Sequence, residues 1–227
     1  MTTGIWTLRS YGPDACLVNA NHESPTERQT QCRRLSNQLT QNPVEGLLET
    51  TQAFGAILLE FKTAMTQSNY LELKTRINQL EEAKLPKTQN EEPAVIQVPT
   101  RYNGPDLKRV ADYGQLTQDE VIALHSATLY SVEALGFSPG FPYIGPLDSR
   151  IACPRKKEPR TNVPKGSVAI GGHHTGIYSI ASPGGWNLIG ETNLDLFQTK
   201  DSLGPHEEET KRFLLSPGLS IQFVPIS

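Results

Sequence analysis

The segment Pro154–Arg160, PRKKEPR, sets two guanidinium groups, Arg155 and Arg160, at the ends of a proline-bounded loop. Guanidinium binds a carboxylate through two parallel hydrogen bonds, and proline restricts the backbone that carries it. The spacing predicts that the two arginines hold a carboxylate or an acidic side chain of a partner; the competing reading is a solvated loop. His125 is the acid–base candidate, because imidazole titrates near neutrality. Its competing reading is a helix-terminal histidine bonded to backbone. Together these three are the catalytic candidates. Five rings, Phe137, Phe141, Tyr143, Tyr178 and Trp186, recur around glycine–proline turns. Large aromatics serve both cores and interfaces. With Pro139, Gly140, Ser167, Pro183, Gly184 and Gly185 they form the candidate substrate-binding or interface set. Gly184-Gly185 beside Trp186 predicts a close backbone approach, by a ligand or by packing.

Other chemistries find less support. His173-His174 are adjacent, so in a strand or turn they point apart, and no ligand-spaced third residue follows; no metal is expected. No GxxxxGK[ST] phosphate loop occurs; Val163–Ser167, VPKGS, has its lysine and glycine in the wrong order, and the GG of VAIGGHH is weak evidence for a nucleotide. The net charge of −3 argues against nucleic acid as the main partner, and Arg155-Lys156-Lys157 reads as a solvated basic run. Cys16, Cys32 and Cys153 are odd in number and widely spaced, which predicts free buried thiols and a reducing cytosol. No apolar run approaches the roughly 18 residues that span a bilayer, and MTTGIWTLRSYG predicts no signal peptide. A composition 37% hydrophobic and 20% charged is that of a soluble globular protein.

The elements that must carry these residues divide into two textures. In the first ninety residues, strands are predicted at Ile5–Leu8 and Ala15–Val18 around the turn Tyr11–Asp14. A helix begins at Ser24, with Pro25 in its first position, Glu27 completing a capping box, and Cys32, Leu35 and Leu39 facing inward. Asn42-Pro43 ends it. Strands follow at Val44–Thr50 and Phe54–Phe61. A second helix covers residues 68–83, with Leu73, Ile77 and Leu80 inward and a Glu72–Arg76 pair. Ala94–Val98 returns as a strand. The order β-α-β-β-α-β is the ferredoxin-like split βαβ arrangement. Lys84–Pro93 reads as the connection. A ferredoxin-like domain over residues 1–90 and a second domain over 91–227 follow.

In the second half, Asn103–Asp106 is a turn signature, and a helix capped by Thr117 and Glu120 carries His125 near its end. Tyr130, Val132 and Ala134 alternate as a strand, with further apolar runs at Ser167–Ile170, Ile177–Ile180 and Ser220–Val224. Three Ser-Pro-Gly copies, at 138, 182 and 216, each predict a tight turn with proline at i+1 and glycine at i+2. One helix and many short strands predict a β-barrel-like domain.

GPDL, the helix ending LH, LGFSPGFPYIG, PRKKEPR, VPKGSVAIGG, TGIYS and SPGGWNLIGET occur in this order. This series resembles the family of the B-type subunit of 5-oxoprolinase, also described as allophanate hydrolase subunit 1 and as the Kip-type inhibitor of a sporulation histidine kinase. The likeness covers essentially all of the second half; the first half agrees in size and element order. It implies an α+β protein whose ferredoxin-like α/β sandwich precedes a cyclophilin-like β-barrel. It also implies an enzyme subunit, inactive alone, in the ATP-dependent opening of 5-oxoproline to glutamate. The implied partners are a C-type subunit (allophanate hydrolase subunit 2 or Kip-antagonist type) and a lactam-utilisation protein, the A-type subunit, with the ATP site on or shared with a partner. Alternative branches would bind a histidine kinase or form part of a urea or allophanate carboxyltransferase. Three places depart from the usual pattern: the tyrosine–glycine segment before GPDL is shortened to RYNGPDL, Pro142 stands where a small residue is common, and His173-His174 where a glutamine commonly precedes the threonine. The last change bears on substrate more than on fold.

Overall fold

The structure, a computed structural model, describes residues 2–3, 6–82, 95–198 and 213–227. The proposed connection Lys84–Pro93 and the side chain of Leu80 lie outside the described residues, as do Ile5, Ala83 and Ala94. The chain forms two compact units, residues 1–92 and 93–227.

The first unit contains β1 (Thr2–Thr3), β2 (Trp6–Ser10), β3 (Ala15–Ala20), α1 (Pro25–Gln41), β4 (Leu47–Ala53), β5 (Ala56–Phe61) and α2 (Gln67–Glu82). Its strands run in the order β1-β2-β3-β5-β4, every pair antiparallel. Ser24 accepts from the Glu27 N–H at the start of α1, and the chain leaves the helix at Asn42 ahead of Pro43. Cys32, Leu35 and Leu39 of α1 and Leu73 and Ile77 of α2 are fully buried with the sheet's Leu8, Val18, Ile57 and Leu59. Each such aliphatic side chain contributes about 2 kcal/mol through loss of contact with water. Arg76 and Glu72 pair at 2.8 Å one turn apart. The β4–β5 hairpin turns at Phe54 and Gly55, both at positive φ, so the strands start two to three residues later than the apolar runs indicated. Primed two-residue turns match the strand twist, and that geometry overrides the cost of a left-handed phenylalanine.

One edge of this sheet differs from expectation. The strand at residues 94–98 is not its last member: β6 (Ile96–Thr100) runs parallel to β14 (Ser220–Pro225) in the second unit. The place beside β3 is taken by β2, whose Trp6 and Leu8 are buried there.

The second unit continues with α3 (Leu107–Gly114), α4 (Gln118–Ala127), β7 (Tyr130–Leu135), β8 (Pro142–Gly145), β9 (Arg160–Val163), β10 (Ser167–Gly171), β11 (His174–Ile177), β12 (Ser182–Gly184) and β13 (Asn187–Glu191). A strand path β6-β14-β7-β8-β11-β10-β13 wraps a core of Val132, Ile144, Val168, Ile170, Ile177, Ile189 and Phe223. The expected closed barrel is not formed. Between β13 and β6 there is one bridge, Arg101 to Glu191, followed by isolated backbone bonds from Gly104 to Ile189 and from Asp106 to Leu188. The physical cause is the turn at Asn103–Asp106, which takes the chain out of β6 into α3 before a ladder can form. α3 itself has no counterpart in the sequence reading; it buries Leu107, Val110 and Ala111. α4 carries a complete capping box between Thr117 and Glu120.

Two of the three Ser-Pro-Gly segments are tight turns. Phe141 N–H bonds to Ser138 O and Leu219 N–H to Ser216 O, with Gly140 and Gly218 at positive φ. Ser182-Pro183-Gly184 is instead β12, paired with β9. A Cβ on Gly184 would stand 2.1 Å from the Tyr178 hydroxyl oxygen, so this glycine permits close packing rather than a bend.

Candidate functional site

The turn at Ser138–Phe141, the loop at Pro154–Pro159 and the strand β12 converge on one side of the second sheet. Between them lies a cleft of about 150 Å³, lined by Phe137, Phe141, Tyr143, Arg155, Lys156, Pro159, Tyr178, Gly184, Gly185 and Trp186. A cavity of that volume accepts a single small ring.

Local sequence explains its walls. Trp186 lies against the sheet because Gly171 and Gly176 have no side chains: a Cβ on Gly171 would stand 2.5 Å from the indole. Phe141 is the hub, edge-on to Tyr178 at 5.2 Å, to Tyr143 at 5.3 Å and to Trp186 at 5.3 Å between ring centroids. Edge-to-face contacts of this kind add about 1 kcal/mol each beyond burial. Phe141, Tyr178 and Trp186 are buried, whereas Phe137, at positive φ, is 62% exposed at the rim. Burial, partly opposed by the Trp186 backbone N–H and by Arg155 and Arg160, raises the Tyr178 phenol above its ordinary range, so it is a neutral donor at neutral pH.

The loop carries the charge. It is fastened at its start by the Cys153–Gly172 bridge and in its middle by the Lys156 N–H to Gly185 O bond of 2.7 Å. Arg155 lies over Trp186, its guanidinium carbon 5.5 Å from the ring centroid. Cation–π contact orients the guanidinium while leaving its N–H groups for a ligand.

Arg160 has another occupation. Asp106 accepts from Arg160 and Lys156 through its carboxylate oxygens, at 2.8 to 3.0 Å, and from the Leu188 N–H at 2.8 Å. Burial pushes the Asp106 carboxyl up, but these three donors outweigh it and hold it below the usual carboxylate range. The arginine pair expected to grip one carboxylate is therefore split: Arg155 faces the cleft, and Arg160 is bound to an internal partner. Arg160 and Ser167 line a separate surface groove with Asn103, Lys165 and Glu191. Pro139 accepts a hydrogen bond from the Ser179 hydroxyl, and Gly140 packs against Phe197 and Phe213. Pro183 lies within β12.

His125 is not in the cleft, and the acid–base expectation for it is corrected. It is fully buried. Its Nδ1 is 2.7 Å from the Tyr102 hydroxyl and its Nε2 2.8 Å from the Thr175 hydroxyl. Thr175 donates its one proton to Ala169 O, so Nε2 is the donor to Thr175, and Tyr102 donates to Nδ1. Burial drives the imidazole pKa down to about 3. The ring is a neutral core member packed on Phe223 and Tyr130.

His173-His174 also separate. His174 Nε2 lies 2.8 Å from a Glu133 carboxylate oxygen, and its ring meets the edge of Tyr143. Glu133 is the bulged residue of β7. No group of three or more metal-ligating side chains occurs among the described residues. Cys16, Cys32 and Cys153 are free and buried, and burial lifts the Cys32 thiol to about 12. No helix among the described residues is long and apolar enough to cross a membrane.

Sequence reasoning missed Lys156 and Pro159 as lining residues and Asp106 as the anchor of the basic loop. A signal for Asp106 existed: an acidic residue within GPDL, in a unit whose other marked loop is strongly basic.

The fold agrees with the comparisons. The chain matches the family described as Carboxyltransferase domain, subdomain C and D, over residues 6–205, and it belongs to that family. It is 48% identical to the B-type subunit of 5-oxoprolinase from Escherichia coli O157:H7 over 133 residues, 57% of each chain. To the counterpart from Bacillus subtilis (strain 168) it is 45% identical over 136 residues, 59% of this chain and 53% of that one. The alignments thus span somewhat over half the length of these curated relatives. Among solved structures, TTHA0988 superimposes with a TM-score of 0.75 at 33% identity, over 94% of this chain and 39% of that one. The Kluyveromyces lactis urea carboxylase shares the fold, with a TM-score of 0.69 at 22% identity, over 98% of this chain and 22% of that one.

Proposed function

We propose that this chain is one subunit of an ATP-dependent 5-oxoprolinase, which opens 5-oxoproline to glutamate as ATP becomes ADP and phosphate. The observation that carries this reading is the ring-sized aromatic cleft with Arg155 at its mouth. A five-membered lactam offers flat faces to Phe141, Tyr178 and Trp186 and a carboxylate to Arg155. Enclosure by rings excludes water and strengthens the ion contact. The roles left to this chain are binding, orientation and charge stabilisation.

Among the described residues, those lining the cleft include no carboxylate and no imidazole. We assign the directed water and its proton acceptor to another polypeptide, which would leave the chain alone inactive. We assign that role to a C-type subunit, of the allophanate hydrolase subunit 2 kind, and to a lactam-utilisation protein of the A type. We assign the ATP site to a partner; the ring-sized cleft and the lack of a GxxxxGK[ST] loop in the sequence support this. Buried free thiols support a cytoplasmic setting. The strand order β2-β3-β5-β4 supports a ferredoxin-like first unit, and the wrapped seven-strand path supports a cyclophilin-like second unit, opened at one seam.

A second reading, a component of a urea-type carboxyltransferase, is favoured by the family match. Co-expression with the two candidate partners separates the readings. Glutamate release from 5-oxoproline is expected only with ATP and only in the assembled complex. Release by this chain alone, or turnover of urea with a biotinylated carrier in place of 5-oxoproline, would count against the first reading.

A further inference from the structure

A carboxylate–imidazole pair, Glu133 with His174, lies just beyond the residues that line the cleft. The two stand on β7 and β11, which are not neighbours, because β8 runs between them. Adjacent strands lie about 4.8 Å apart, so the pair must span nearly twice that distance. Two local features permit it. The ladder between β7 and β8 shifts register between Val132 and Ala134, and the extra residue is Glu133. A bulge re-aims the side chain it carries. On β8 the passage is left open by Gly145, where a Cβ would stand 3.2 Å from His174 Cδ2 and 3.4 Å from Glu133 Oε2. Glu133, only 9% exposed, thus brings its Oε2 to 2.8 Å from His174 Nε2, which donates. A hydrogen bond to a carboxylate is among the strong ones, and it fixes the turn of the imidazole. That ring meets Tyr143 at 87°, with centroids 6.2 Å apart. Tyr143 in turn is edge-on to Phe141 at 5.3 Å and to Trp186 at 5.7 Å. Tyr143 lines the cleft, and neither Glu133 nor His174 does, so the pair acts on the cleft through that ring.

We propose that Glu133 and His174 are positioning residues for the cleft: the carboxylate fixes the imidazole, the imidazole backs Tyr143, and Tyr143 sets the width of the space that receives a ring. The pair governs which ring is accepted and takes no part in bond making. This inference rests on the reading of the cleft as the ring-binding site of a 5-oxoprolinase subunit and deepens it. A cross-strand pair with a purely structural task adds stability and leaves ligand preference alone. A pair that holds a wall in place sets the preference, because a misfit of about one methylene in an apolar pocket changes affinity about tenfold or more.

The test uses the full chain and two probes, benzoate and 2-naphthoate, titrated by calorimetry, with the NMR contact between the Tyr143 and Trp186 rings followed in parallel. In Glu133→Ala the ratio of benzoate to 2-naphthoate affinity is expected to fall about tenfold as Tyr143 withdraws and its contact with Trp186 weakens. His174→Ala is expected to repeat that effect. Glu133→Gln keeps an acceptor oxygen for His174 Nε2 and is expected to restore the wild-type ratio. An unchanged ratio in the alanine variants, with only the thermal midpoint lowered, would overturn the proposal. So would a Glu133→Gln variant as altered as Glu133→Ala, or binding of neither ring to the wild-type chain. Should the ratio shift and be restored while the assembled complex releases no glutamate from 5-oxoproline, the positioning role stands and the 5-oxoprolinase reading falls.

Discussion

Thr175 and Gly176 are neighbours on β11 and face opposite sides of the sheet, as alternate strand residues must. Inside, Thr175 meets His125; outside, Gly176 lies beneath Trp186. Both regions are built from tyrosine, an aromatic ring and a nitrogen-bearing side chain. On the inner side each ring nitrogen of His125 has a fixed partner, and the ring is fully enclosed. On the outer side Arg155 rests on a ring that satisfies none of its N–H groups, and the sheet's glycines leave space. The difference teaches that residue type alone does not separate structural from ligand-binding groups. What separates them is whether the polar atoms are already paired within the fold.

The largest expected effect breaks the inner region. His125→Ala removes a buried ring and the partner of the Tyr102 hydroxyl, at a cost of about 3 kcal/mol. Urea unfolding measures it; a loss below about 1 kcal/mol would mean the network is loose. The same histidine sets a pH dependence. Its folded pKa, about 3, lies below its ordinary value, so its neutral form stabilises the fold above roughly pH 6.5. That contribution is lost as pH falls from about 6.5 toward 3, with a slope of at most about 1.4 kcal/mol per pH unit. His125→Gln should flatten the stability profile in that window, where a surface histidine would change nothing.

Next in size is Gly184→Ala, which forces the new methyl against Tyr178. An expected loss of about 2 kcal/mol accompanies displacement of Tyr178, visible as a shift of the Trp186 emission. An unchanged spectrum would mean that the cleft wall adapts. The smallest effect on stability belongs to Arg155→Ala, about 0.5 kcal/mol, the scale of an exposed cation–π contact. Its benzoate affinity should nonetheless fall about tenfold. A variant with normal affinity would remove Arg155 from the site.

Local signals were legible wherever the deciding contacts are close in sequence. Ser24, Thr117 and Glu120 cap the helices as their types predict, and Ser138-Pro139-Gly140 turns where it should. The rings around the turns were marked from the sequence too, since aromatics between glycines suit a wall and its close contacts. Illegible were the contacts made across the fold. Ser182-Pro183-Gly184 has the same letters as the true turns, but it pairs with β9 as a strand. Arg160 has the same chemistry as Arg155, but Asp106, more than fifty residues away, withdraws it. α3 escaped notice because eight residues give too short an apolar period, and its stability comes from the core beneath it.

Taken by itself, the chain of amino acids determined its two textures, its helix starts, most of its strand runs, and the ring-rich, basic stretch where a ligand would be sought. These depend on backbone preferences and on periods of a few residues. Only the tertiary structure decided that β6 joins the second unit, that the sheet stays open beyond the single bridge of Arg101 to Glu191, that His125 is neutral and sealed, and that Arg155 alone of the two arginines faces the cleft. Burial and charge pairing arise from groups brought together over long separations, and no local pattern encodes which of two like side chains will find its partner first.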